Sequence, residues 1–282
     1  MSAPLPHGVS VSHALTLEEV RARLEASELV LGAISIGTTG TEALSPASDY
    51  DLVIVLDELP PNLYWAGTTS IDGRLTDLLF ISREEIEAVR DLEVPVSERE
   101  HLGMIARWLR DGRVLFDTGG AVSAAAEKIR SGNWIVPPEV DSRGLWSRVN
   151  YNLLQSRRLL LSDDVVYGIA AEMRAALYGP QDMFFAYFDL RGIPWQGEKA
   201  AVRYLLEHDT DYLQKFRRFI AEPDLEQRYE LYEQLAARTV EPIGALQSGR
   251  ETVLGVNDPN APDVDKTLAF WQNLITNGKR VP

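Results

Sequence analysis

Cysteine is absent from this chain of 282 residues. Disulfides, thiolate nucleophiles and thiolate metal sites are therefore excluded. Histidine is scarce. His7, His13, His101 and His208 are scattered, which argues against a His-rich zinc centre. Long apolar runs are missing: nothing approaches the roughly 18 residues of a membrane span. The N-terminal stretch has no basic region leading into an apolar one, so it does not read as a secretory signal. The expectation is a cytoplasmic protein with no membrane role. Basic residues are in deficit, with 28 Lys and Arg against 42 Asp and Glu, a formal net charge of −14. That balance repels nucleic acid globally, although a local basic groove would still bind it. It suits a cationic small partner, and it also serves plain solubility.

What is present suffices for a normal core, with 45% hydrophobic and 25% charged residues. The first half alternates helix and strand signals. Leu15 to Ala26 reads as a helix with Thr16 as N-cap and Glu19 three residues on. Leu29 to Ile36, Leu52 to Leu56 and Gly73 to Ile81 read as strands. Ser82 and Glu85 form a capping-box pattern, and helices are predicted at His101 to Arg110 and Ala121 to Arg130. Arg113 to Phe116 reads as a short strand. Beyond Pro137-Pro138 almost everything is helix-periodic. Breaks fall at Ser162-Asp163-Asp164, Gly179-Pro180, Gly192-Ile193-Pro194 and Glu222-Pro223, which suggests about five antiparallel helices. A short helix is expected near Leu268 to Ile275 in the tail. The chain thus reads as α/β (α+β): a mixed-sheet domain over residues 1–137, then a helical bundle with a tail over 138–282.

The chemistry-bearing pattern lies in the first half. An apolar run ends at Gly37-Thr38, and twelve residues after Gly37 (49 − 37) Asp49 and Asp51 flank Tyr50 before a second apolar run. Carboxylates two positions apart on a strand share a face, and paired oxygens so placed suit a divalent cation. Gly37, Thr38 and Gly40 would let a phosphate chain approach the backbone. Asp77 lies inside an otherwise apolar run and needs a partner or a metal.

Gly37-Thr38, then Asp49-Tyr50-Asp51, then Asp77 on a further strand, resembles the minimal branch of the nucleotidyltransferase superfamily related to DNA polymerase β. The segment Ser45 to Leu52 and the later Leu115-Phe116-Asp117 match that branch as well. The family's Ser after the glycine is Thr38 here, and no arginine follows it. A helical bundle behind such a domain is similar to the aminoglycoside nucleotidyltransferases. The resemblance implies two Mg²⁺ ions held by Asp49, Asp51 and Asp77, with Asp77 also as the base. It implies an NTP, ATP by preference, on Gly37, Thr38 and Ser48, and a small-molecule hydroxyl as acceptor. Transfer to tRNA or to a protein hydroxyl is the alternative, and a non-catalytic NTP-binding module is another. A monomer or a homodimer would serve.

In the helical half, Gly192 to Ala200 reads as a turn entering a helix. By the resemblance Lys199 there would reach the triphosphate, as would Arg158 or its neighbour Arg157. In kanamycin-modifying relatives the first bundle helix brings a catalytic glutamate. Here that stretch shows Asn152 and Gln155, and Glu172 on the next helix is the nearest acid by sequence. Arg203 and His208 have the Arg-x4-His spacing of HEPN ribonucleases, but with no second element beside them an ordinary helix is the better explanation. Phe184, Phe185, Tyr187 and Phe188 read as bundle core.

Overall fold

The computed structural model describes residues 15–37, 39, 44–45, 48–59, 65–248, 266 and 269–272. The protein is mixed α/β and divides into two compact units, Met1–Pro138 and Glu139–Pro282.

The first unit opens with helix α1 (Leu17–Glu25). Its capping box is made: the Thr16 hydroxyl accepts the Glu19 N–H at 3.2 Å, and Glu19 accepts the Thr16 N–H at 2.8 Å. Strands β1 (Val30–Ile36), β2 (Tyr50–Leu56), β3 (Ala66–Ile71) and β4 (Arg74–Ser82) follow, then helix α2 (Arg83–Arg90) from its own Ser82–Glu85 capping box. Strand β5 (Val96–Ser97), helix α3 (His101–Asp111), strand β6 (Arg113–Asp117), helix α4 (Ala121–Arg130) and strand β7 (Ile135–Val136) complete the unit. The main sheet has the order β3-β4-β2-β1-β6, with β2 and β4 parallel and the other pairs antiparallel. β5 and β7 pair separately.

The run Leu52-Val53-Ile54-Val55 is buried throughout because β2 is the middle strand, covered on both faces. One face sends Ile34, Val53, Val55 and Ile81 against α2, α3 and α4. The other packs Val30, Ile54 and Phe116 near Leu24 of α1, and Tyr50, Leu52 and Ile71 near its Leu17 and Val20.

The sequence pattern missed β3. It is an edge strand whose first five residues are exposed, so Gly67, Thr68, Thr69 and Ser70 show no burial alternation. The signal available was Asp72-Gly73, both at positive φ, which closes the β3–β4 hairpin.

The second unit has six α-helices among the described residues, not five: α5 (Ser142–Leu160), α6 (Val165–Leu177), α7 (Gly179–Asp189), α8 (Glu198–His208), α9 (Thr210–Ala221) and α10 (Leu225–Val240). The extra break falls at Asp209, which ends α8 and caps α9 by accepting the Tyr212 N–H at 3.1 Å. The same residue takes the Tyr187 hydroxyl at 2.8 Å and Arg238 Nε at 3.1 Å. Around it packs a core that includes Val149, Leu153, Met183, Phe188, Tyr212 and Leu235. Phe184, Tyr187 and Phe188 lie in or against that core, whereas Phe185 is partly exposed beside Trp195. No helix among the described residues is long and apolar enough to cross a membrane. Of the predicted tail helix, Leu268 and residues 273–275 lie outside the described residues, while 269–272 are helical.

Candidate functional site

Asp51 stands opposite Asp77 in the register of the parallel strands β2 and β4. Their alternation places Asp51 with Val53 and Val55, and Asp77 with Leu79 and Ile81, on the face that α2–α4 cover further along. Asp49 precedes β2 by one residue and shares that face by the same alternation. All three carboxylates are half-buried. Among the described residues the Asp77 carboxylate has no hydrogen-bond partner, although its strand is apolar around it.

Tyr50 fixes this arrangement from the opposite face. Its hydroxyl donates to Asp72 Oδ2 at 3.2 Å, and Leu17 N–H donates to the same oxygen at 3.1 Å. Burial, together with the Asp72 carboxylate, pushes the Tyr50 hydroxyl pKa up, so it stays a donor. With Tyr50 held there, Asp49 and Asp51 must face the other way. Arg74 lies over the Tyr50 ring at 5.6 Å and donates to the carbonyls of Ser45 and Ser48 at 2.5 and 2.9 Å. The hairpin residues Asp72 and Arg74 thus brace the approach to both aspartates. Sequence reasoning missed them because their role depends on β3.

Gly37 has φ +66, the left-handed region, and a Cβ built there would stand 3.1 Å from Asp51 Oδ2. The left-handed φ favours glycine, and a Cβ would push the Asp51 carboxylate aside by a few tenths of an ångström. Thr38 and Gly40 lie outside the described residues. Thr39, which the motif does not single out, is buried, and its hydroxyl accepts the Asp51 N–H at 3.1 Å. It ties the glycine turn to the strand carrying the carboxylate. Ser48 is buried, and its hydroxyl is engaged within the loop, accepting the Ser45 N–H at 3.1 Å. Among the described residues no group of three or more His, Asp or Glu is gathered as a metal site. Asp51 and Asp77 are register partners across β2 and β4, and Asp49 stands two residues before Asp51. An open groove of about 730 Å³ lies elsewhere on this unit, along β6 and α4, with Arg113, Glu127 and Arg130 in its lining and none of the aspartates.

The remaining predicted residues belong to the second unit. Lys199 is exposed in the first turn of α8, behind Gly197. Arg158 is exposed near the end of α5 and donates to Gln155 Oε1 at 3.0 Å; Arg157 is exposed beside it. Asn152 is buried, and its amide donates to Asp182 Oδ2 at 2.8 Å and accepts Arg174 at 2.7 Å. The acid beside Asn152 is therefore Asp182 of α7, and Glu172 is exposed on α6. Arg203 and His208 are both exposed, and five residues along a helix set them about 140° apart, so they do not converge.

No protein-family model matches the chain, and no curated protein matches it. Among solved structures the chain is similar to a nucleotidyltransferase-like protein from Exiguobacterium sibiricum 255-15, at 12% identity and a TM-score of 0.40. The alignment covers 79% of this chain and 73% of that one. A likeness so distant says nothing about chemistry or ligand.

Proposed function

We propose that the chain is a metal-dependent nucleotidyltransferase that moves a nucleoside monophosphate from an NTP, ATP by preference, to a hydroxyl of a small molecule. The observation that carries this is the register pair Asp51–Asp77, at the end of an otherwise apolar sheet face, with Gly37 against Asp51. A cationic, aminoglycoside-like acceptor suits the net charge of −14.

The donor set fits Mg²⁺. It offers hard carboxylate oxygens from neighbouring strands about 4.8 Å apart. Mg²⁺ is held by one or two carboxylates, with waters and substrate phosphates completing its shell, so a ready-made cage of three is not required. Asp49, Asp51 and Asp77 would hold two such ions, which neutralise the triphosphate and acidify the attacking hydroxyl when bound. Asp77 would accept the hydroxyl proton. The acceptor oxygen then forms its bond to the α-phosphorus as the bond to the leaving pyrophosphate breaks. Gly37 N–H and the Thr38 hydroxyl would face the phosphates, and Ser48 would hold the loop beside them.

The test is incubation with each labelled NTP and Mg²⁺, with an aminoglycoside panel or bulk tRNA as acceptor. Label on a small-molecule hydroxyl is the expected result. Label on tRNA alone would replace the acceptor, and wild-type rates in Asp51→Asn and Asp77→Asn would sink the assignment.

A further inference from the structure

The carboxylate pair has a third neighbour in its row. Asp51 stands opposite Asp77 across β2 and β4, and Asp77 stands opposite Thr68 across β4 and β3. Residues directly opposite on paired strands share a sheet face, so Thr68 lies on the carboxylate face, beside Asp77 and away from Asp51. Ser70 and Leu75 form the next pair on that face. Thr68 and Ser70 are exposed, Leu75 is 61% exposed, and neither hydroxyl has a hydrogen-bond partner among the described residues. The backbone of β3 is open as well. The Trp65 carbonyl accepts the Phe80 N–H at 2.8 Å, so by antiparallel alternation Gly67, Thr69 and Ile71 turn their backbone groups to β4. Ala66, Thr68 and Ser70 turn theirs outward, at the edge of the sheet.

We propose that Thr68 determines acceptor specificity, by holding a hydroxyl on the carbon next to the one that reacts. The inference rests on the nucleotidyltransferase reading above and adds to it the side of the aspartate pair that takes the acceptor. Gly37 lies against Asp51, where a Cβ would stand 3.1 Å from Oδ2, and belongs to the phosphate side in that reading. It follows β1, which flanks β2, whereas β3 flanks β4 on the opposite side of the pair. The acceptor therefore reaches Asp77 from β3. Opposed residues of a pair that is not hydrogen-bonded have Cα atoms about 4.5 Å apart, so one polyol spans the two side chains. Its reacting hydroxyl donates to the Asp77 carboxylate. The neighbouring hydroxyl exchanges a hydrogen bond with Thr68 Oγ1, which both donates and accepts. The Ser70 hydroxyl and the outward backbone groups serve the remaining ring substituents, and Leu75 gives an apolar surface to the ring's C–H face. The acceptor class is thus a vicinal polyol, since a lone hydroxyl would leave Thr68 unused.

The test is titration calorimetry of the full chain with Mg²⁺, a nonhydrolysable ATP analogue and kanamycin, a probe with vicinal hydroxyls, beside labelled-ATP transfer to the same probe. Thr68→Val keeps a β-branched side chain and removes the hydroxyl. It should weaken kanamycin binding and raise the kanamycin KM about tenfold, as for one lost hydrogen bond, with the KM for ATP unchanged. Thr68→Ser should recover both to within about threefold. Thr69→Val, on the opposite face, should change neither. Among single-deoxy derivatives of kanamycin, one should bind wild type and Thr68→Val equally, because it lacks the hydroxyl that Thr68 holds. Wild-type binding in Thr68→Val, a loss that every deoxy derivative retains, or a failure of kanamycin to bind would overturn the proposal. Transfer lost in Asp77→Asn and unmoved in Thr68→Val would overturn this inference alone. Transfer at wild-type rates in Asp77→Asn would overturn the nucleotidyltransferase reading and the inference with it.

Discussion

Asp77 and Asp209 are both carboxylates placed among apolar neighbours, one in each unit, and the fold treats them oppositely. Asp209 is 8% exposed, and its oxygens receive the Tyr187 hydroxyl, the Tyr212 N–H and Arg238 Nε. Asp77 sits in mid-strand with no hydrogen-bond partner among the described residues. Taking a carboxylate out of water is costly unless donors replace the water. Donors from three helices do so at Asp209, which therefore joins α7, α9 and α10. At Asp77 no described residue does, which leaves the group available to a ligand.

The sharpest way to break this contrast is to remove each charge in turn. Asp77→Asn should lower nucleotide transfer by about 1,000-fold, roughly 4 kcal/mol of barrier, with the melting temperature unchanged or raised. Asp209→Ala should do the reverse, leaving the aspartate pair of the first unit intact and destabilising the helical unit by about 3 kcal/mol. Of that, the lost cap accounts for about 1 kcal/mol and the orphaned Tyr187 hydroxyl for about 1–3 kcal/mol. Arg238 adds little, because its side chain is 47% exposed. Urea denaturation followed by helical circular dichroism measures the second effect. A stable Asp209→Ala protein, or an Asp77→Asn protein that unfolds early, would reverse the contrast.

The two aspartates also differ in how well the sequence announced them. Asp77 interrupts an apolar run, and Asp49-Tyr50-Asp51 precedes another, so period and composition were enough to mark them. Gly37 was legible for the same reason, as a glycine ending a strand. Asp209 was not. Its role depends on Tyr187 and Arg238, 22 and 29 residues away in the chain, and its local signal is an acid between two stretches of helical period. The missed helix boundary and the missed network are one error, since capping α9 is what breaks α8 from it. Asp72, Arg74 and Thr39 escaped likewise. Each acts through a contact across the sheet or loop, which no single window of sequence contains.

A smaller effect separates backbone strain from contact with the carboxylate. Gly37 and Gly73 both have left-handed φ, +66 and +71, but a Cβ at Gly37 meets Asp51 Oδ2 at 3.1 Å while one at Gly73 meets nothing within 4 Å. Alanine at either position should cost about 1–2 kcal/mol of stability from the backbone alone. Only Gly37→Ala should also depress transfer, by about tenfold, because the Asp51 carboxylate must move. Equal losses of activity in the two variants would show that the glycine serves the turn and not the carboxylate.

The smallest effect is one of pH. Burial pushes the Asp209 pKa up, but the Tyr187 hydroxyl, the Tyr212 N–H and the Arg238 guanidinium outweigh it and hold the carboxyl below its usual range. The folded state therefore binds this proton less readily than the unfolded chain, whose Asp titrates near 3.9. The resulting stability is fully present above about pH 4 and is lost as the pH falls through the lower folded value. Urea midpoints of the helical unit should fall as the pH drops below about 4, and Asp209→Asn should flatten that slope while keeping a side chain able to cap α9. If the slope persists in Asp209→Asn, another group governs the acid sensitivity of the second unit. Asp209 would then hold the helices together through its cap and the Tyr187 contact alone, without its charge.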